Sequence, residues 1–255
     1  MVSLIQAVIL SVLQAIAEWL PISSSGHLAI VQNIFHFENL SFDVFLHFAS
    51  LFAVIIVFKK DILKLFYPWE KAKLKYLFLL LLGIIPAGLA GFLFRNQIER
   101  AFSNFVYLGV FFIISGIIVY STKFYKEKKE KIWYFDSIFI GIFQAFAILP
   151  GISRSGATIS SGLYRGVSKQ EAIKFSFLMA IPIILGASIL EAKNLIVSNI
   201  DYSILIVSFV ITFVLSLFVI KLLIKIINKE KFYIFGIYNF ILGVLILIIR
   251  FLGYI

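Results

Sequence analysis

The sequence predicts an all-α polytopic membrane protein, with six transmembrane helices plus two re-entrant broken-helix pairs arranged as inverted repeats. Three observations predict it. Hydrophobic residues make up 62% of the 255-residue chain and charged residues 14%, where a soluble domain has about 45–50% and about 25%. Six apolar segments, 43–58, 75–94, 104–121, 170–190, 203–225 and 232–252, approach the ~20 residues a spanning helix needs. Two further apolar regions, 1–35 and 133–167, are each broken by the same short polar motif. The whole of 1–255 is expected to form a single integral membrane domain.

Region 1–35 begins with an apolar run and no basic stretch ahead of it, so cleavage as a signal segment is not expected. Residues 14–26 then read Gln-Ala-Ile-Ala-Glu-Trp-Leu-Pro-Ile-Ser-Ser-Ser-Gly. Pro21 removes a helix donor and Gly26 permits a tight turn, so two half-length helices meeting at the motif fit better than one continuous helix. His36 and Glu38 follow in a loop. Asp43 and His47 begin the span 43–58 and are expected at its outer mouth. Gly83, Pro86, Gly88 and Gly91 in the span 75–94 permit close packing or a kink. Asp136 heads region 133–167 and is expected to cap the helix leading to the second motif. There, residues 144–156 read Gln-Ala-Phe-Ala-Ile-Leu-Pro-Gly-Ile-Ser-Arg-Ser-Gly. The copies, 14–28 and 144–158, align without a gap and match Gln14 to Gln144, Ser23 to Ser153, Ser25 to Ser155 and Gly26 to Gly156. Gln144 is expected to donate hydrogen bonds between the repeats, and Arg165 to be an ordinary boundary residue.

The net charge of +10 comes largely from lysines in short loops. They are read as orientation signals and anchors for anionic membrane lipids, not as a nucleic-acid surface. Lys59 to Lys75, Lys123 to Lys131 and Lys221 to Lys231 fill three loops that the positive-inside rule puts in the cytoplasm. Both termini are then expected outside. Three spans separate the two motif copies, and an odd number reverses direction. The copies therefore enter from opposite sides, and their tips can meet near the midplane, as in transporter-like inverted repeats. Cysteine is absent, which excludes disulfides, thiolate metal sites and a catalytic thiol.

Polar groups inside apolar sequence are costly, so they mark function. Gln14 and Glu18 share one helix face, and Glu18 is an intramembrane acid. Ser23, Ser24, Ser25 and Gly26 supply hydroxyls and backbone N–H groups in a tight turn, which suits either an anion nest or a hydroxyl-capped helix start. His27 beside them is a candidate general acid or base. The second copy offers Ser153, Arg154, Ser155, Gly156 and Thr158, with the Arg154 fork suited to phosphate oxygens. Together the tips suit phosphoryl transfer or hydrolysis.

These residues are recognisable together. The chain resembles the undecaprenyl-diphosphate phosphatase family of the bacitracin-resistance type in three motifs: Gln14 to Glu18, Pro21-Ile-Ser-Ser-Ser-Gly-His27, and Pro150-Gly-Ile-Ser-Arg-Ser-Gly-Ala-Thr158. It departs at Gln14, where the family also allows Glu, and at Ser25, where it usually has Thr. The resemblance implies hydrolysis of a C55 polyprenyl diphosphate to the monophosphate at the outer face of the bacterial plasma membrane, recycling the carrier for cell-wall polymers. Arg154 and the N–H groups near Ser155 and Gly156 would neutralise the phosphate. The nucleophile is Ser24, His27 or water, with Glu18 or His27 taking the proton. Gln14, Ser23, Ser25, Ser153 and Thr158 complete the expected binding set. A divalent cation, Mg²⁺ or Ca²⁺, would find one acidic ligand, Glu18, and draw further oxygens from the diphosphate. A prenyl-phosphate transporter or flippase fits the same midplane cluster, and a homodimer is left open. A channel fits less well, since Glu18 beside Arg154 is no ring of one charge sign.

Overall fold

The structure, a computed structural model, describes residues 2–35, 39–67, 70–102, 104–197 and 200–254, apart from the side chains of Arg95 and Glu99. The loop residues His36 and Glu38 lie outside the described residues. In chain order the α-helices are α1 (Leu4–Trp19), α2 (Ser24–Phe35), α3 (Leu40–Val57), α4 (Lys59–Phe66), α5 (Lys71–Leu93), α6 (Arg95–Phe102), α7 (Phe105–Tyr120), α8 (Tyr134–Phe146), α9 (Arg154–Tyr164), α10 (Lys169–Val197), α11 (Tyr202–Asn228) and α12 (Ile234–Phe251).

Six of these are long and apolar enough to cross a membrane: α3, α5, α7 with its 3₁₀ extension to Phe124, α10, α11 and α12. The chain is thus an all-α polytopic membrane protein. Several helices run beyond their apolar windows. α10 continues from the expected end at 190 to Val197 because Glu191, Ala192, Lys193 and Leu195 all favour helix. Polar N-caps begin the spans where the chain re-enters apolar surroundings. The Asn39 side chain accepts from Phe42 N–H, Asn104 from Val106 N–H, and Asp201 from Ser203 N–H. Outward-facing Phe52, Phe78, Leu81, Leu89, Ile206 and Phe218 are exposed, as lipid-facing side chains of a bundle should be.

The two interrupted regions form broken pairs. α1 and α2 have 16 and 12 residues, and α8 and α9 have 13 and 11, so none spans alone. Trp19, Leu51, Val54, Phe58, Phe175 and Phe177 belong to the main buried core. Trp19 packs edge-on against Phe177 with ring centroids 5.0 Å apart. α7 and α12 make the most extensive helix contact, because Gly109, Gly116, Gly236 and Gly243 bring their backbones together. A Cβ on Gly236 would lie 2.4 Å from Tyr120 N.

Asp136, Arg165 and Gln144 make contacts that the sequence did not suggest. Asp136 does cap α8, accepting from Trp133 N–H at 2.9 Å, but it is also fully buried and paired with Lys129 at 2.6 Å. Its other oxygen accepts from Arg165 Nε at 2.8 Å, so Arg165 is no ordinary boundary residue. Burying a carboxylate is costly unless it is paired, and the loop lysine and Arg165 supply the pairing. Gln144 donates to the Gly83 carbonyl of α5 at 3.4 Å, not to the first motif. A Cβ at Gly141, one turn before Gln144, would lie 2.5 Å from that carbonyl, so α8 is packed against α5 and directs its amide there.

Candidate active site

Each broken pair turns through a serine cap, and the two caps have the same form. Ser23 Oγ accepts from Gly26 N–H at 3.3 Å, and Ser153 Oγ accepts from Gly156 N–H at 3.1 Å. Ser25 and Ser155 sit beside them, with hydroxyl separations of 3.4 and 3.2 Å. α2 and α9 therefore both begin at the site, and their positive ends favour an anion there. The turns differ in where they place the left-handed residue: Ser23 has φ +68° and Gly151 has φ +102°. Only the second turn uses glycine for it; Ser23 holds a conformation rarely adopted by side-chain-bearing residues.

The turns are stitched to each other. Gly151 N–H donates to Ser23 Oγ at 3.1 Å, and Ser155 Oγ donates to the Leu20 carbonyl at 3.3 Å. Across this contact Arg154 Nη2 is ion-paired with Glu18 Oε1. Trp19, the next residue, lies under the guanidinium, 5.4 Å from ring centroid to Cζ. Glu18 Oε2 accepts from the Ser24 hydroxyl at 2.6 Å and from Gln14 Nε2 at 3.1 Å. His47 Nδ1 lies 2.9 Å from the same oxygen and 2.8 Å from Gln14 Nε2. Arg154 Nη1 is buried with no partner among the described residues.

A cavity of about 340 Å³ lies over this cluster, lined by Glu18, Ser23, Ser24, Ser25, His47, Ser153 and Arg154 on its polar side. Val44, Phe102, Ile148, Ile152, Ile183 and Ile184 are among its apolar walls. The sequence-derived residues divide accordingly. Glu18, Ser24 and Arg154 converge, and Gln14 braces Glu18 from behind. Ser155 and Thr158 are buried in the joint, Thr158 within 2.6 Å of Ser176 Oγ on α10. Gly26 and Gly156 fit close packing, since added Cβ atoms would lie 2.6 Å from Phe112 Cζ and 2.9 Å from Val119 Cγ2.

The two histidines exchange places relative to expectation. His27 is turned away from Glu18; its Nδ1 bonds the Ser23 carbonyl at 2.8 Å and its Nε2 bonds Tyr238 Oη at 2.7 Å. His47, expected only at a mouth, lines the cavity and touches the carboxylate. Asp43, one turn earlier, accepts from Gln32 at 2.7 Å. Sequence reasoning also missed Ser115 and Asn239. Asn239 Nδ2 donates to the Pro21 carbonyl at 2.7 Å and to Ser115 Oγ at 3.2 Å. Ser115 Oγ in turn accepts from Ser153 N–H at 3.2 Å. A fully buried Asn inside an 18-residue apolar helix was the available signal.

The fold and site together define an integral membrane protein with a buried carboxylate–hydroxyl–guanidinium cluster at the meeting of two helix starts. A family model described as bacitracin resistance protein BacA matches residues 7–245. A protein named undecaprenyl-diphosphatase from Carboxydothermus hydrogenoformans is 39% identical over 259 residues, covering 97% of this chain and 98% of the relative. One of the same name from Methanococcus maripaludis is 40% identical over 240 residues, covering 91% and 95%. Undecaprenyl-diphosphatase 1 of Shouchella clausii is 36% identical, covering 97% of each chain. This chain belongs to the BacA family.

Proposed function

We propose that this protein hydrolyses undecaprenyl diphosphate to undecaprenyl phosphate and inorganic phosphate. One observation carries the reading: a serine hydroxyl, its carboxylate partner and a half-free guanidinium meet where two helices begin. That is the equipment of phosphoryl transfer, in which positioning and charge neutralisation do most of the catalysis. The relatives' names agree with it and give no support to the carrier reading. We further assign the reaction to the outer face of the bacterial plasma membrane, with the broken pairs re-entrant from opposite sides and the product recycled as a cell-wall carrier.

The terminal phosphate enters the cavity against Arg154 Nη1 and the N–H groups at the starts of α2 and α9. Ser24 Oγ attacks phosphorus, and its proton passes to Glu18 along the existing 2.6 Å hydrogen bond. The P–O bond to the bridging oxygen breaks, and undecaprenyl phosphate leaves. Water then attacks the phosphoserine, and Glu18 returns its proton to Ser24 as inorganic phosphate departs. Ser23, Ser25 and Ser153, which line the cavity, orient the group. For a hard cation the site offers one carboxylate, Glu18, already met by Arg154 and Ser24, and no cluster of three acidic or imidazole ligands occurs among the described residues, so the substrate would have to supply most of the coordination. Mg²⁺ or Ca²⁺ would be held by Glu18 together with diphosphate oxygens, and would supply Lewis-acid neutralisation.

Purified protein given undecaprenyl diphosphate is expected to release inorganic phosphate. Ser24→Ala and Arg154→Ala are each expected to lower turnover by about 10²-fold or more. Unimpaired release in both variants, or transbilayer movement of the lipid without any phosphate release, would overturn the assignment.

A further inference from the structure

A second polar cavity, of about 530 Å³, shares no lining residue with the catalytic one. On α10 it is lined by Glu171 and Lys174, whereas the catalytic cavity is lined from Ile183, ~13 Å further along the helix. Three separate segments close around it: the first turns of α5, residues 130–133 ahead of α8, and the start of α10. Each segment changes from charged to apolar at this level. After Lys75, Asp136 and Lys174, the helices α5, α8 and α10 run on through uncharged sequence into the bundle. The cavity therefore sits at the boundary between water and hydrocarbon, on the side of the lysine-rich connections.

Its lining suits one negative charge. Lys75 Nζ lies 4.4 Å from the ring centre of Trp133 and 4.9 Å from that of Tyr134, and Lys174 Nζ lies 5.3 Å from that of Tyr76. The rings hold these ammonium groups at the wall. Lys174 is also ion-paired with Glu171, so those two charges cancel. Lys75 and Lys131 then stand against a single further carboxylate, Glu130, and the lining keeps an excess of one positive charge. Tyr76 Oη is buried and closes no hydrogen bond of ordinary geometry among the described residues, although the Glu171 carboxylate is close by. Leu79 and Ile132 make a buried apolar floor. Outside the rim, Phe78 is exposed and packs against Tyr134 with ring centroids 6.1 Å apart, so a hydrocarbon chain has an apolar track away from the polar lining.

We propose that this cavity binds the headgroup of an anionic glycerophospholipid, with the phosphodiester between Lys75, Lys131 and Tyr76 Oη and the acyl chains along Phe78. Three features select that occupant. One unbalanced positive charge answers one phosphodiester. The volume lies in the range that takes a whole small ligand, where a bare phosphate ion would leave most of it empty. Trp and Tyr rings beside ammonium groups at the apolar boundary are the pairing that meets lipid headgroups. A bound headgroup would join α5, α8 and α10 across a polar gap that their own side chains do not fill. The site makes no use of Glu18, Ser24 or Arg154, so it stands or falls apart from the proposed hydrolysis. A smaller basic cavity of about 200 Å³, at Lys123, Lys169 and Tyr233, provides a matched control.

The test reads Trp133 fluorescence in the whole protein, reconstituted in phosphatidylcholine vesicles that contain either brominated phosphatidylglycerol or brominated phosphatidylcholine. Trp133→Phe isolates the signal by difference from the other two tryptophans. Brominated phosphatidylglycerol is expected to reach half-quenching at a mole fraction about fivefold lower than brominated phosphatidylcholine. The double variant Lys75→Gln with Lys131→Gln is expected to abolish that preference, and Lys123→Gln, in the smaller cavity, to leave it unchanged. Soluble glycerol phosphate is expected not to relieve the quenching, since it lacks the chains that hold a lipid at this level. Equal quenching by the two lipids in the unaltered protein, an equal loss of preference in Lys123→Gln, or relief by glycerol phosphate would overturn the proposal.

Discussion

Glu18 keeps its place among apolar helices because each oxygen is answered. Arg154 takes one, while Ser24, Gln14 and His47 converge on the other. His47 meets the same carboxylate oxygen as Ser24, and His27 holds the Ser23 turn through its carbonyl and Tyr238. These are different tasks, and substitution should separate them. His47→Ala removes one of three groups on Glu18 Oε2 and leaves Ser24 and Gln14 there, so the carboxylate stays satisfied but is less firmly placed. Turnover of prenyl diphosphate is therefore expected to fall about tenfold or more in steady-state assays, with thermal unfolding little changed. His27→Ala is expected to act mainly on stability, with the smaller effect on turnover. The reverse ranking would put the proton chemistry back at His27. Glu18, Ser24 and Arg154 were legible in the sequence because hydroxyls and charges stand out in apolar surroundings. His47 was not, since it lies at the start of an otherwise ordinary span, and only the fold brings α3 against α1.

At the level of elements, the two serine turns are locally similar and bond each other directly, but a second pair of helices also holds their separation. α7 and α12 do that. Their glycines bring the backbones close enough for Asn239 to reach Pro21 in the first turn while Ser115 takes Ser153 N–H in the second. Asn239 and Ser115 are bonded to each other, so their contributions should not add. Asn239→Ala and Ser115→Ala are each expected to reduce turnover, and the double variant to be no worse than the more damaging single one. Additive losses, read from kcat/KM in a double-mutant cycle, would show two independent structural roles. The six spans were readable from hydropathy because length and apolarity alone specify them. The pairing of α7 with α12 was not, because glycine spacing says that a helix can approach closely without naming its partner.

For the molecule as a whole, the question is which way it faces. Lys59 to Lys75, Lys123 to Lys131 and Lys221 to Lys231 all fall at connections that alternating spans place on one side, where the positive-inside rule locates the cytoplasm. On the proposed orientation α3 and α10 run in opposite directions, with Ser41 and Glu191 at their external ends. The chain has no cysteine, so a single introduced thiol is an unambiguous reporter. Lys128 and Asn194 are both exposed, and lie before the fourth span and near its far end, on opposite sides of it. In intact cells Asn194→Cys is expected to react with a membrane-impermeant maleimide. Lys128→Cys should react only after permeabilisation. The opposite pattern would turn the protein over. Phosphate release by the purified protein would be unaffected, but the enzyme would then serve lipid arriving at the inner leaflet. Labelling of both thiols in intact cells would mean that the chain inserts in two orientations, each offering the same inverted pair of turns to its own leaflet.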